Sequence, residues 1–287
     1  MAIDSTDMAA QAERYHKTSA TMTAAVGRLL TAASMMGDML KGENNSITLR
    51  LAGNGPAGAI IAVADYMGNV KAYAANPKAD LPTNQYGKLD VSGAVGKEGS
   101  LTVIKDLGMR EPYVGQIPIV SGEIAEDITH YYAVSEQTPT VCALGVLVNT
   151  DLTVISAGGY LVQLLPGVDD AAIDKLEANI NKLPPVSKML ADGTTPEQIC
   201  MMALDGFEPE ILDTSDVSYK CDCSRDRVER ALRSLGAEDL REMAAEQENM
   251  QVECHFCDKK YHFTSRELLE MAKLRERQKE ENEDEEN

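Results

Sequence analysis

Four of the six cysteines form two close pairs, Cys221/Cys223 and Cys254/Cys257, separated by 30 residues. No other feature of the chain restricts its folding so tightly. A zinc ion takes four soft ligands in a tetrahedron, with sulfur at roughly 2.3 Å, and each local pair can aim two thiolates at one point. Cys221, Cys223, Cys254 and Cys257 are therefore expected to hold one zinc ion per chain in the reduced state. His255 and His262 lie close enough in sequence to substitute, but four cysteines already complete the tetrahedron. Between the pairs, Arg225 to Leu235 and Ala237 to Glu248 read as two short helices broken at Gly236, a loop that brings the pairs together. A module of this size cannot fold on its own core. Metal binding then supplies the folding free energy, about 10 to 16 kcal/mol in zinc-finger peptides near neutral pH.

The spacing leaves the purpose of the site open. A permanent structural clamp is one reading. The single residue between Cys221 and Cys223 is tighter than the two to four common in zinc ribbons. It would close into a strained disulfide, and strained disulfides tend to be labile and regulatory. Cys254 and Cys257 carry the spacing of dithiol redox motifs. A disulfide oxidoreductase is thus a further reading, although the strand-to-helix setting of a thioredoxin-like motif is missing here. Lys220, Arg225, Lys259 and Lys260 flank the sulfurs and would favour thiolates, or stand as solvated surface. Cys142 sits in the apolar run Val141 to Val148 and reads as core, and Cys200 lies on a helix with no partner pair nearby.

The remainder of the 287 residues is long enough for a sizeable domain. Apolar residues make up 44% of the chain, yet there is no Trp and only three Phe, so the interior must be built from aliphatic side chains and Met. From Asp7 to Lys41 the apolar residues Met22, Val26, Leu29, Ala33, Met36 and Leu40 recur at steps of three and four, predicting an amphipathic helix with its methionines in a core stripe. Gly27 and Gly37 mark close packing or breaks in it. Between Asn45 and Pro166 the period falls to two. Strands are expected around Ile47 to Leu51, Ile61 to Val63, Val70 to Ala74, Leu101 to Lys105, Gln116 to Ser121, Thr129 to Ser135, and Val141 to Val148 in a hairpin with Leu152 to Ser156. Connections as short as Tyr66 to Asn69 imply mostly antiparallel pairing. The run from Gly53 to Gly58 has the glycine spacing of a dinucleotide-binding loop, but Ala59 to Asp65 continues as a strand rather than a helix, so a turn is expected. Helices return over Asp169 to Lys182, Val186 to Ala191, and from Thr195–Pro196, a cap and first-turn pair.

The expected architecture is α+β: a mostly antiparallel sheet core packed with helices over 1–166, a helical linker over 167–218, and a small zinc-binding module over 219–265. An acidic tail over 266–287, helical or disordered, completes it; its charge run from Glu276 reads as solvated disorder. With 46 acidic against 27 basic residues the formal charge is −19, which repels phosphate backbones and anionic lipids. Nucleic acid and membrane are disfavoured as partners. Neither a secretory signal pattern nor an uninterrupted apolar stretch of membrane-spanning length occurs, and the chain reads as soluble and cytoplasmic, where thiols stay reduced. No Ser, His and Asp set marks a hydrolase, His16 and His130 lack a motif, and no catalytic residue is assigned.

The Cys-Asp-Cys and Cys-His-Phe-Cys pairs with their long spacer resemble the zinc switch of the redox-regulated bacterial heat-shock holdases, also called 33 kDa chaperonins. The resemblance extends through Gly87 to Gly96, Leu101 to Gly108, Val120 to Glu123, Ser135 to Pro139, Ala157 to Gly159 and Gln163 to Gly167, spanning about residues 20 to 265. It implies a stress-response chaperone, not an enzyme. In the reduced state all four cysteines hold zinc, and module and linker cover apolar surface of the core. Oxidation to Cys221–Cys223 and Cys254–Cys257 disulfides expels the zinc, the module unfolds, and the exposed surface holds unfolded or partly unfolded clients without ATP, as a homodimer. Members of that family begin with an extra strand hairpin, whereas only a few residues precede the first helix here, so the corresponding sheet edge is expected to be reduced.

Overall fold

A helix that is apolar on one stripe needs one partner; a helix buried all round needs two. Helix α2 (Ala20–Asp38) is of the second kind, its small residues Ala24, Ala25, Ala32, Ala33 and Ser34 as enclosed as Met22, Leu29 and Met36. In the computed structural model, which describes residues 1–285, α2 packs against two sheets of the first of two compact units, Met1–Lys220. One is five-stranded, in the order β4-β3-β2-β5-β6, from β2 (Ser46–Gly53), β3 (Ala59–Asp65), β4 (Val70–Ala74), β5 (Gly99–Asp106) and β6 (Tyr113–Pro118). The other is three-stranded, β1-β8-β7, from β1 (Ala2–Asp4), β7 (Thr140–Val148) and β8 (Val154–Gln163). Neighbouring strands in both run antiparallel, with Leu49 opposite Ala62 on one side and Val103 on the other. The α+β class and the antiparallel sheets agree with the sequence.

The single helix expected over Asp7 to Lys41 is two. Helix α1 (Thr6–His16) ends at Lys17, which turns left-handed at φ 50°, and Ser19 caps α2 by accepting from the Met22 amide at 3.2 Å. Gly27 and Gly37 do not break α2; they admit its neighbours. A Cβ on Gly37 would stand 2.5 Å from the Asp65 carbonyl oxygen and 2.8 Å from the Ala64 Cβ, and one on Gly27 would stand 2.8 Å from Val146 Cγ2. The same crowding explains a change of phase in β3. Ile60, Ala62 and Ala64 face inward, and the bulkier Ile61 and Val63, expected as the apolar face, lie half-buried on the other side. The few residues ahead of α1 form β1, which pairs Ala2 with Tyr160 and supplies the sheet edge expected to be reduced.

Residues Thr129 to Ser135 are helical, not a strand: α4 (Ala125–Val134) buries Ile128, Tyr131 and Tyr132 at helical spacing. Its anchor is Asp127, which is 0% exposed and accepts from the amides of Val120 (2.7 Å), Ser121 (3.1 Å) and Ile124 (3.0 Å). These bonds hold Val120 and Ser121 outside β6, which ends at Pro118 rather than at Ser121. Asp127→Ala removes the acceptor of three amides, that of Ile124 buried and those of Val120 and Ser121 partly so, and is expected to lower the urea stability of this unit by about 2 to 3 kcal/mol, since hydrogen bonds to charged groups are worth about that much. The Gly53 to Gly58 segment is a turn between β2 and β3, its Gly55 and Ala57 amides bonded to the carbonyls of Val95 and Ala94 beside the short α3 (Val91–Val95).

Helices α5 (Asp170–Ile180), α6 (Val186–Ala191) and α7 (Pro196–Ala203) follow, with Asp169 and Thr195 as N-caps. Val186, Met189 and Ile199 of α6 and α7 pack with Tyr160 on the three-stranded sheet, while α5 buries only Leu176. The unit ends by returning to the five-stranded sheet. Ser218 and Lys220 flank Val70 in a parallel bridge, accepting from its amide at 3.0 Å and donating to its carbonyl at 2.9 Å, and the Tyr219 hydroxyl donates to the Ala72 carbonyl at 2.9 Å.

The second unit, from Cys221 onward, holds α8 (Arg225–Arg233), α9 (Ala237–Glu246), a hairpin of β9 (Asn249–Glu253) and β10 (Lys260–Thr264), and α10 (Ser265–Glu285). The stretch from Glu276, read from its charge as solvated disorder, continues α10 to Glu285; residues 286 and 287 lie outside the described residues. Leu268, Met271 and Ala272 anchor the first turns, and the Glu, Lys, Arg and Gln that follow are good helix formers. Among the described residues no helix is long and apolar enough to cross a membrane.

Candidate metal centre

The second unit has a small interior. Its buried apolar residues are Leu232, Leu240, Tyr261, Phe263, Leu268, Met271 and Ala272, seven among the described residues. They come from every element of the unit except β9, whose Met250 and Val252 pack half-buried against them. The period-two pattern of β10 puts Tyr261 and Phe263 on one face.

Beside this cluster the cysteines converge. Cys221 and Cys223 lie on the extended segment that enters α8, where Ser224 caps the helix by accepting from the Arg227 amide at 3.2 Å. Cys254 and Cys257 lie on the loop that joins β9 to β10. That loop is folded back by bonds from the amides of Cys257 and Asp258 to the Cys254 carbonyl, and Asp258 takes a positive φ of 56°. Cys221 Sγ stands 3.6 Å from Cys254 Sγ, and Cys223 Sγ 3.4 Å from Cys257 Sγ. All four sulfurs lie within 4.8 Å of one another, and all four cysteines are unbridged. A tetrahedron with metal–sulfur bonds of roughly 2.3 Å has edges of roughly 3.8 Å, so the sulfurs are spaced as such a site needs. Four close thiols could hold a metal ion; a soft, all-sulfur donor set of four suits zinc.

Electrostatics distinguish the four. Burial works to raise the Cys223 thiol, but hydrogen bonds from Tyr261 and the neighbouring sulfurs override it and bring it down to about 7. Burial raises the thiols of Cys221 and Cys257. The Tyr261 hydroxyl donates to Cys223 Sγ at 3.1 Å. Nothing in the sequence reading singled out Tyr261; the signal available was its place four residues after Cys257, on the same strand face as Phe263. The flanking cations have other partners. Arg225 lies 4.4 Å over the Phe263 ring, donates to the His262 carbonyl and pairs with Glu267 at 2.7 Å; Lys259 stands 5.5 Å from the Tyr261 ring centre. Lys220 belongs to the first unit. His255 and His262 do not join the sulfur cluster, which among the described residues comprises the four cysteines alone.

Cys142 packs half-buried against the main core, and burial pushes its thiol up to about 12, away from the thiolate form that reacts. Cys200 lies half-buried on α7, in the other unit from the sulfur cluster.

The sequence model of the family described as Hsp33 protein matches residues 1–264. The chain belongs to the Hsp33 family. It is 50% identical over 279 residues to a 33 kDa chaperonin of Acetivibrio thermocellus, covering 97% of this chain and 94% of that one. It is also 50% identical over 263 residues to a 33 kDa chaperonin of Clostridioides difficile, covering 92% of this chain and 90% of the relative. The fold is similar to the crystal structure of the 33 kDa chaperonin from Thermotoga maritima, with a TM-score of 0.85 at 36% identity over 94% of this chain and 91% of that chain. The protein is thus a member of a heat-shock chaperone family, and the resemblance noted in its cysteine pattern is a relationship over almost its whole length. The Hsp33 match ends one residue before α10 begins.

Proposed function

We propose that this chain is a redox-regulated, ATP-independent holdase of the cytoplasm. It is inactive while Cys221, Cys223, Cys254 and Cys257 are reduced and hold one zinc ion. It becomes active when an oxidant converts them to Cys221–Cys223 and Cys254–Cys257 disulfides and the ion leaves. The observation that carries this reading is the convergence of four thiols in a unit with, among the described residues, only seven buried apolar ones. A unit so built depends on its sulfur ligands for its fold. Taking those ligands away by oxidation therefore removes the fold as well as the ion.

In the folded cluster sulfur contacts of 3.6 Å and 3.4 Å run across the two pairs, Cys221 to Cys254 and Cys223 to Cys257, far longer than a disulfide bond of roughly 2.05 Å. Local disulfides therefore require the cluster to come apart, and in a loosened chain closure over one or two residues costs far less entropy than closure over 30. We assign the core to 1–166, the linker to 167–218 and the switch module to 219–265. The linker's α5, with Leu176 as its single buried residue, has the fewest buried residues of any helix in the first unit, as expected of a segment that opens. Release of α6 and α7 with it would uncover the face of the three-stranded sheet now packed by Val186, Met189 and Ile199 for unfolded or partly unfolded clients. Homodimerisation accompanies oxidation, and the net charge of −19 keeps client complexes soluble. The protein acts by binding, not as an enzyme.

The test follows metal and clients together. On treatment with hydrogen peroxide at mildly elevated temperature, the zinc-loaded protein is expected to release one ion per chain to a chromogenic chelator and, over the same time course, to suppress light scattering by a thermally unfolding client enzyme. Retention of the ion with no suppression would identify a static zinc-binding module, and catalytic turnover of a dithiol substrate an oxidoreductase.

A further inference from the structure

The sulfurs of the cluster differ in their surroundings. Cys223 Sγ alone among them has a hydrogen-bond donor from an aromatic side chain in the described structure, the Tyr261 hydroxyl at 3.1 Å. That donor is held rigidly. Tyr261 is 6% exposed, its ring belongs to the apolar cluster with Leu240, Phe263 and Leu268, and β10 is fixed in register against β9 with Tyr261 opposite Val252. The hydroxyl can reach a sulfur without any part of the ring leaving the interior.

A thiolate that accepts such a bond shares its charge with the donor, and groups just outside the ligand set fix the ligands' orientation and tune their reactivity. The hydroxyl draws charge from the sulfur's lone pairs and so lowers their power to attack an oxidant. We infer that Tyr261 is a positioning residue for the switch: its hydroxyl holds Cys223 Sγ toward the cluster and blunts that sulfur's attack on peroxide, setting the oxidant level at which the module opens. This rests on the redox reading proposed above.

The step that Tyr261 restrains balances as follows. The Cys223 thiolate attacks one oxygen of hydrogen peroxide, the O–O bond breaks, and two electrons pass from sulfur to peroxide, leaving a sulfenic acid and one hydroxide. The Cys221 thiolate then attacks the sulfenic sulfur; the S–S bond forms and a second hydroxide leaves. In total, two thiolates and one hydrogen peroxide become one disulfide and two hydroxides. A weaker nucleophile slows the first of these steps.

Tyr261→Phe keeps the ring in the cluster and removes only the donor. In the full-length, zinc-loaded variant, peroxide-driven zinc release is expected to run about fivefold faster than in the parent, equivalent to ~1 kcal/mol of barrier. In the cobalt-substituted protein the thiolate-to-cobalt charge-transfer bands are expected to shift, because one sulfur donates more charge. Zinc transfer to a competing chelator without peroxide separates this role from a merely structural one and is expected to keep its parental rate. An equal acceleration with and without peroxide, or an unchanged peroxide rate with unshifted cobalt bands, would overturn the inference while leaving the proposed switch intact. If the parent itself lost no zinc to peroxide, both would fall.

Discussion

Stripping the metal from the reduced protein with a strong chelator is expected to unfold the unit that begins at Cys221 while the part of the unit Met1–Lys220 built around α2 stays folded. The difference follows from what each has to lose. The first unit is organised around α2, buried on all sides between two sheets, and its largest cluster of enclosed residues runs from Met8 to Leu161 without any contribution from the cysteine pairs. The second has seven buried apolar residues among those described, too few to offset the conformational entropy of about 1 to 2 kcal/mol per ordered residue for the backbone alone. Metal binding to such modules contributes about 10 to 16 kcal/mol at neutral pH, so the apo form should be unfolded rather than loosened. Hydrogen exchange mass spectrometry reads the result directly. Peptides from 221–264 should lose protection on chelation, while those covering α2 and β2 keep theirs. A chelated protein that retained protection in the β9–β10 hairpin would show that the module folds on its apolar core after all.

Phe263→Ala is expected to weaken metal binding although Phe263 ligates nothing. Its ring is fully enclosed at the centre of the small cluster and lies under the Arg225 guanidinium. Truncation of a buried Phe costs about 3 to 5 kcal/mol, and where folding and metal binding are one equilibrium that loss is taken from the apparent affinity. The zinc dissociation constant, measured by competition with a chromogenic chelator, should rise by roughly 10²- to 10³-fold, at about 1.4 kcal/mol per decade. An affinity within threefold of the parent would mean that the sulfur cluster assembles independently of the hairpin. The measurement complements the Tyr261→Phe experiment, because the phenylalanine acts through the fold and the hydroxyl through one sulfur.

The convergence of the four cysteines was the most legible part of the sequence because its signal is local. Two short spacings place two thiols each, and only the spacer has to bring the pairs together. The helices after Pro166 were legible for a similar reason, since Asp169 and Thr195 announce their starts through side-chain caps. Where the sequence misled, distant residues decided. Thr129 to Ser135 carries β-branched and aromatic residues suited to a strand, but Asp127 collects three amides and winds the segment into α4. The large apolar residues of α2 trace a stripe; its alanines and serine, silent in such a count, are what let sheets approach from both sides. In β3 both faces are apolar, and the phase is settled by the lack of room beside Gly37, which admits Ala64 and would not admit a larger neighbour. Tyr261 went unnoticed because a tyrosine on a short strand has many uses, and only the position of its hydroxyl names this one.

The parallel bridge of Ser218, Tyr219 and Lys220 to β4 places at least four hydrogen bonds immediately ahead of the first cysteine. Any disturbance travelling along the backbone from the opened module toward α7 meets that bridge first. Each bond contributes on the order of 1 kcal/mol, so the seam is strong enough to stop thermal fraying from spreading upstream and weak enough to yield to a chain end that has lost its fold. If the module opens as proposed, the seam would stand as a threshold in series with the cysteines, so that a brief or partial oxidation would spend itself on the module and only a completed one would reach the helices beyond.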